Sequence, residues 1–406
     1  MRIKPFAAWR PPVELAPKVA SLPYDVVDAA EAKALAEGNP YSFFHVSRAE
    51  IDLPEGTSAQ DERTYRKAAE NFRAFRERGT LVQEGSPSFY LYRLTWKGRD
   101  QRGFVTVCHV QDYEENVIRK HEKTRQAPEN DRTRHVNALN ANSGPVFLAY
   151  RDRPEIDAAV AIIEKSPPLY DFTAADGIRH TVWRVGGTKA LVEAFAKVPH
   201  AYIADGHHRA AAAARVARER RTANPSHTGG EEYNWFLAVL FPAGQLRILP
   251  YNRCVKDLNG LSKEQFLEAV RARFAVSDAA APQPAKVGQA SMYLDGRWYG
   301  LGWTPEKTAN PADALDVSVL QDRLLNPVLG IDDPRNNPRI EFVGGIRGTE
   351  ELEKRVKSGR AAVAFSMYPA TLDQLMAISD AGQCMPPKST WFEPKLRSGL
   401  LVHTLD

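Results

Sequence analysis

The apolar run from Val198 to Ile203 leads into Ala204-Asp205-Gly206-His207-His208-Arg209, and an alanine-rich stretch, Ala210 to Arg221, follows at once. A run of that length bounded by a turn residue has the size of a buried strand, and the alanine-rich stretch has high helix propensity throughout. The order is therefore strand, tight turn at Gly206, helix. Asp205 to Arg209 then fall on the turn and the first helical turn, where free backbone N–H groups and the positive end of the helix dipole favour an anion. Two histidines and an arginine add donors, and arginine can grip phosphate oxygens bidentately. Capping the helix needs only the aspartate. Four polar or charged side chains in five positions predict more, a phosphate cradle of Gly206, His207, His208 and Arg209.

Around this element the spacing predicts an α+β chain of mixed sheets. Helices are expected over Ala29–Glu37, stopped by Gly38-Asn39-Pro40, and over Gln60–Arg78, with Tyr65, Ala68, Ala69, Phe72 and Phe75 on one face. Ser42 to Val46 has the composition of a strand. Ser88–Leu94 and Gly103–Val110 form a hairpin about Lys97–Asp100, and Met292–Gly300 form another on Asp295-Gly296. Ser262, with Gln265 three places on, starts a helix. Asp316–Leu329, Glu350–Lys357 and Thr371–Ala381 are further helices, the last two about a strand at Ala361–Met367. Joints near 110 and 250 divide the chain into an N-terminal α+β region (1–110), a core with the central motif (111–250) and a C-terminal α+β region (251–406).

Two more stretches carry chemistry. Arg119-Lys120-His121-Glu122-Lys123-Thr124 sits in a polar block, Asp112–Arg134, and such charge runs are ordinarily solvated faces. In Met385-Pro386-Pro387-Lys388-Ser389-Thr390 the prolines fix an extended approach. Lys388 is then either a solvent-facing lysine or a contact to phosphate or a substrate carboxylate.

Asp205 to Arg209 before a helix resembles the phosphate-binding signature of the ParB/sulfiredoxin superfamily, and within it most closely that of the free serine kinases. With Pro23-Tyr24-Asp25-Val26-Val27, His121 to Thr124 and Met385 to Lys395, the whole chain resembles the bacterial and archaeal DUF1015 family. The resemblance implies a ParB/sulfiredoxin-like strand-turn-helix core and a kinase that moves phosphate from ATP or ADP to the hydroxyl of a serine-like metabolite. Glu122 matches the base acting on the substrate hydroxyl. Lys388, Ser389 and Thr390 match a Ser-Pro-Lys-Thr-Thr segment and become substrate or phosphate contacts.

The chemistry agrees with that assignment. Phosphoryl transfer needs a carboxylate on the alcohol, and cations with N–H donors on the phosphate. Asp205 suits Mg²⁺, which prefers hard oxygen ligands. Glu122 lies much farther from Asp205 in sequence than in the compact kinases, so an insertion with its own helices must fold away for the two to meet. Pro23-Tyr24-Asp25 has no implied role beyond Asp25 as a helix cap.

The alternative is a nucleotide-binding or hydrolysing switch of the ParB-like superfamily without a small-molecule acceptor. A DNA clamp would need a basic face and a helix-turn-helix. Here 54 basic residues nearly match 50 acidic ones, net charge +4, so no nucleic-acid partner is expected. Sulfiredoxin chemistry needs a cysteine where a histidine stands. Cys108, Cys254 and Cys384 are far apart, without disulfide or metal spacing. The start, MRIKPFAAWRPP, has no apolar segment of signal length, and no stretch approaches a membrane span. A cytoplasmic protein is expected.

Overall fold

Lys97 and Gly98 both take positive φ, 50° and 72°, as do Asp295 and Gly296, 50° and 80°. Paired positive φ values close two-residue hairpins whose twist matches that of the strands they join. Each hairpin belongs to one of two compact units. The first comprises Met1–Leu246 and Pro394–Asp406, the second Arg247–Glu393. The computed structural model describes residues 1–306, 308 and 310–406.

Among the described residues, the first unit holds a nine-stranded sheet of β1 (Ile3–Lys4), β2 (Phe89–Trp96), β3 (Arg99–His109), β4 (Ile118–Arg119), β5 (Val146–Tyr150), β6 (Tyr170–Thr173), β7 (Arg179–Val185), β8 (Ala201–Asp205) and β9 (Trp235–Pro242). The spatial order is β4-β8-β5-β9-β3-β2-β7-β6, with β1 also on β3. The pairs β4·β8 and β5·β9 are parallel, the rest antiparallel. The apolar run of β9 is buried from Phe236 to Pro242, as a central strand covered on both faces requires.

The helices that bear on the site are α1 (Glu62–Glu77), α2 (Gln126–Leu139) and α3 (His207–Ala223). The alanines of α3 let it lie close to the strands, so Ala210, Ala213, Ala214 and Ala217 join Phe104, Leu148, Ile203 and Phe236 in the main core. Each buried phenylalanine or leucine there contributes on the order of 2 kcal/mol. α2 packs along α3, and the Tyr65 hydroxyl of α1 donates to Asp131 of α2 at 2.7 Å.

Several expectations change. Ser42–Val46 is no strand: Phe44–Ser47 is a helical turn. Phe43 and Val46, three apart, enter one core cluster while Phe44 enters another, a helical spacing rather than the alternation of a strand. Asp28, not Asp25, caps the following helix, its carboxylate accepting from Glu31 N–H at 2.8 Å. The polar block 112–134 holds β4 and the start of α2, and the stretch between Glu122 and Asp205 does not fold away, because β5 within it pairs directly with β8. The helix at Asp316 keeps its form only to Leu320 before widening, with Asn326 N–H bonded to Gln321 O at 3.0 Å. The strands on either side of position 110 share one sheet.

The second unit has an antiparallel sheet of β10 (Tyr251–Val255), β11 (Ala275–Ser277), β12 (Gln289–Leu294), β13 (Arg297–Gly302), β14 (Ile340–Gly344) and β15 (Val363–Met367). Its order is β11-β13-β12-β15-β10-β14. Cys254, Tyr293, Val343 and Ala364 form a core with Leu352 of the helix Glu350–Lys357. Among the described residues no helix is long and apolar enough to cross a membrane.

Candidate functional site

The expected strand, turn and helix are β8, Gly206 and α3. β8 runs in register with β5 as far as Ile203, and the register shifts before Asp205. Gly206 follows at φ 97°, ψ 31° as the residue preceding α3. Its missing side chain is needed twice over. The left-handed backbone strains any other residue, and a Cβ would stand 3.0 Å from Arg209 Nε and 3.1 Å from its Cζ. Arg209 therefore lies folded under the turn, nine-tenths buried, with Nη1 donating to the Pro145 carbonyl.

Asp205 sits between two cations. Its Oδ2 is 3.3 Å from Lys395 Nζ and 3.4 Å from Arg209 Nη2, and Oδ1 lies outside these pairs. Burial alone would push this carboxyl up, but Lys395 and Arg209 outweigh it and hold the group well below the usual carboxylate range. Asp25 approaches the same guanidinium, Oδ2 to Nη2 3.9 Å. Tyr24 beside it lies under the Arg132 guanidinium at 3.8 Å. Neither Arg209 Nε nor Nη2 completes a hydrogen bond.

The parallel pair β4·β8 brings the second constellation in. Ile118 lies opposite Ala201 and Arg119 opposite Tyr202, so His121 and Glu122 emerge beside the turn. The His121 ring meets the His207 ring edge-on at 4.5 Å, and Glu122 Oε2 is 4.0 Å from His207 Nδ1. Glu122 is exposed, whereas both histidines are buried.

Burial pushes His121 down to about 4 and His207 well below its ordinary value, with His121 adding to the effect on His207. At neutral pH these rings are uncharged, so the positive charge of the site comes from Arg209 and Lys395. His207 Nε2 is buried with no hydrogen-bond partner. His208 accepts from the Arg125 N–H at 3.1 Å, which leaves its proton on Nδ1 and ties α3 to the start of α2. Burial lowers its pKa as well.

The structure thus gathers Glu122, Asp205, Gly206, His207 and Arg209 in the first unit, while His208 is engaged with Arg125. Lys388, Ser389 and Thr390 belong to the second unit. There Lys388 is exposed with φ 54°, its Nζ 5.4 Å over the Tyr251 ring, and Ser389 Oγ donates to Pro386 O at 2.7 Å. Sequence reasoning missed Lys395 and Asp25 as members of the cluster. A signal existed for the lysine: Pro394-Lys395 repeats Pro387-Lys388 seven residues later.

The chain belongs to the DUF1015 family, described as proteins of unknown function, and matches it over residues 3–318. No curated protein matches it. Among solved structures it is similar to a mutant free serine kinase in complex with ADP, at 13% identity and TM-score 0.36, over 73% of this chain and 92% of that one. It is also similar to a free serine kinase in complex with AMP (12% identity, TM-score 0.37, 73% and 91% of the two chains). A third is SbnI with a C-terminal truncation from Staphylococcus aureus, at 10% identity and TM-score 0.38, over 73% and 86%. Overlaps of this depth do not define a shared fold.

Proposed function

We propose that this chain is a small-molecule kinase in which β8, Gly206 and α3 form a ParB/sulfiredoxin-like phosphate cradle. The observation that carries the reading is a carboxylate, Glu122, 4.0 Å from His207 at the mouth of a turn whose two cations flank Asp205. A base and an anion-stabilising group within one side chain's reach are what an alcohol and a phosphate require together.

In this reading Glu122 takes the proton of the acceptor hydroxyl as its oxygen attacks the terminal phosphorus, and the phosphoanhydride oxygen leaves with the nucleotide. Gly206 backbone N–H, Lys395 and Arg209 face the phosphates. The unpartnered Nε2 of His207 fits the same task as a neutral hydrogen-bonding group. Mg²⁺, when bound, neutralises charge on the phosphates. Asp205 Oδ1, outside the two ion pairs, is the protein oxygen suited to it, and one carboxylate with phosphate oxygens and waters meets that ion's needs. The acceptor is assigned to serine-like alcohols.

The experiment is product formation from ATP or ADP with serine, homoserine and threonine, beside calorimetric nucleotide binding. Glu122→Gln is expected to keep nucleotide affinity and lose about 10²–10⁴-fold in turnover. If no alcohol is phosphorylated and Glu122→Gln abolishes nucleotide binding, the protein is a nucleotide switch instead.

A further inference from the structure

Arg253 lies within β10, opposite Phe342 of β14 and Phe365 of β15, and is 3% exposed. Its guanidinium donates to two main-chain carbonyls, those of Tyr251 and Lys388, the latter at 3.4 Å, and rests 5.4 Å from the Phe342 ring. Other buried arginines have a carboxylate at hand: Arg132 has Asp131 at 2.6 Å, Arg397 has Asp176, and Arg209 has Asp205. Arg253 has no such partner among the described residues, and burial alone shifts it, down to about 10. Carbonyl dipoles satisfy N–H groups but leave a net charge in a low-dielectric interior, which is costly until an anion arrives.

A second cation stands at the same place. Lys388, whose carbonyl Arg253 holds, is exposed and carries its ammonium 5.4 Å over the ring of Tyr251, the residue whose main-chain carbonyl is Arg253's other acceptor. Lys388 takes φ 54°, uncommon for a residue with a side chain, and the Ser389 hydroxyl bonded to Pro386 O pins the loop. A buried fork and an exposed point charge together match a tetrahedral dianion better than a single carboxylate.

We propose that Arg253 and Lys388 form an anion site in the second unit that takes a phosphate group, either as free inorganic phosphate or as a phosphomonoester. The inference rests on the missing counter-charge of Arg253 and not on the kinase reading. It is tested without nucleotide or alcohol, so the two can fail separately.

The full chain is titrated calorimetrically with inorganic phosphate, and in a second arm with phenyl phosphate, at ionic strength held constant with chloride. Saturable binding is expected, weakened about 10-fold or more in Arg253→Gln, the scale of a charge-assisted hydrogen bond, and about 5-fold in Lys388→Ala. Binding in the first arm identifies a free-phosphate site; binding in the second arm alone identifies a phosphomonoester site. No binding in either arm, or unchanged affinity in Lys388→Ala, overturns the proposal. Lys388 is exposed, so its variant decides the matter even if Arg253→Gln does not fold.

Discussion

Asp205→Asn removes the carboxylate that Lys395 and Arg209 share, and the contacts allow the cost to be worked out. At an effective dielectric of about 20, a unit charge pair at 3.3 Å is worth about 5 kcal/mol before desolvation. Removing one partner of a buried pair costs roughly 3–5 kcal/mol, because the other charge is left uncompensated. The Asp205 side chain is 25% exposed, so solvent screening brings the expected loss to about 2–3 kcal/mol. Lys395→Met should cost a similar amount. The double variant leaves Arg209 with Asp25 at 3.9 Å and no orphaned lysine, so it should be about 1–2 kcal/mol less damaged than the sum of the singles. Urea unfolding at pH 7 measures all four proteins, and nucleotide calorimetry on the same samples reports whether the cradle survives. Strict additivity, with a coupling below about 0.5 kcal/mol, would show that Lys395 does not balance Asp205 and refute the arrangement of charge derived above.

Two further outcomes follow from the same geometry. Gly206→Ala places a side chain at φ 97° and against Arg209 Nε, and should destabilise the chain by about 1–3 kcal/mol while weakening nucleotide binding; a wild-type melting temperature would contradict the packing. His121 and His135 are both pushed down to about 4 by burial, so they stay neutral in the fold while the unfolded chain protonates near 6.5. Their contribution is complete above that value and declines as pH falls from about 6.5 toward 4, by on the order of 3 kcal/mol each; stability that stays flat between pH 6.5 and 4.5 would exclude their neutral burial.

The sequence disclosed what local chemistry decides. Lys97-Gly98 and Asp295-Gly296 specify their hairpins through backbone conformations that few residue pairs adopt, and Ser262 with Gln265 forms the capping box that their spacing announces. The central strand-turn-helix was legible because apolar run, glycine and alanine run are consecutive. What escaped depends on partners distant along the chain. Ser42 to Val46 has a strand's composition, and only the core clusters into which Phe43, Phe44 and Val46 point make it helical. The histidines looked like cationic donors. Their neutrality comes from burial, which no motif encodes. Lys395 enters the cluster because the chain returns to the first unit after Glu393, a topological fact rather than a spacing.

That return has a consequence for timing. Lys395 and the segment that anchors it, through Ser398 paired with Ser21, Val402 with Trp9 and His403 with Asn142, are synthesised only after the whole of Arg247–Glu393. At about 5–20 residues per second, the ribosome spends about 7–30 seconds on that interval. Throughout it, Asp205 and Arg209 are already made and Lys395 is not. The nascent chain therefore carries a cradle with one of its two cations missing and an open seam beside Trp9 and Ser21. The arrival of Pro394–Asp406 closes the seam and supplies the charge in one event, so the cluster is completed only after the second unit has emerged.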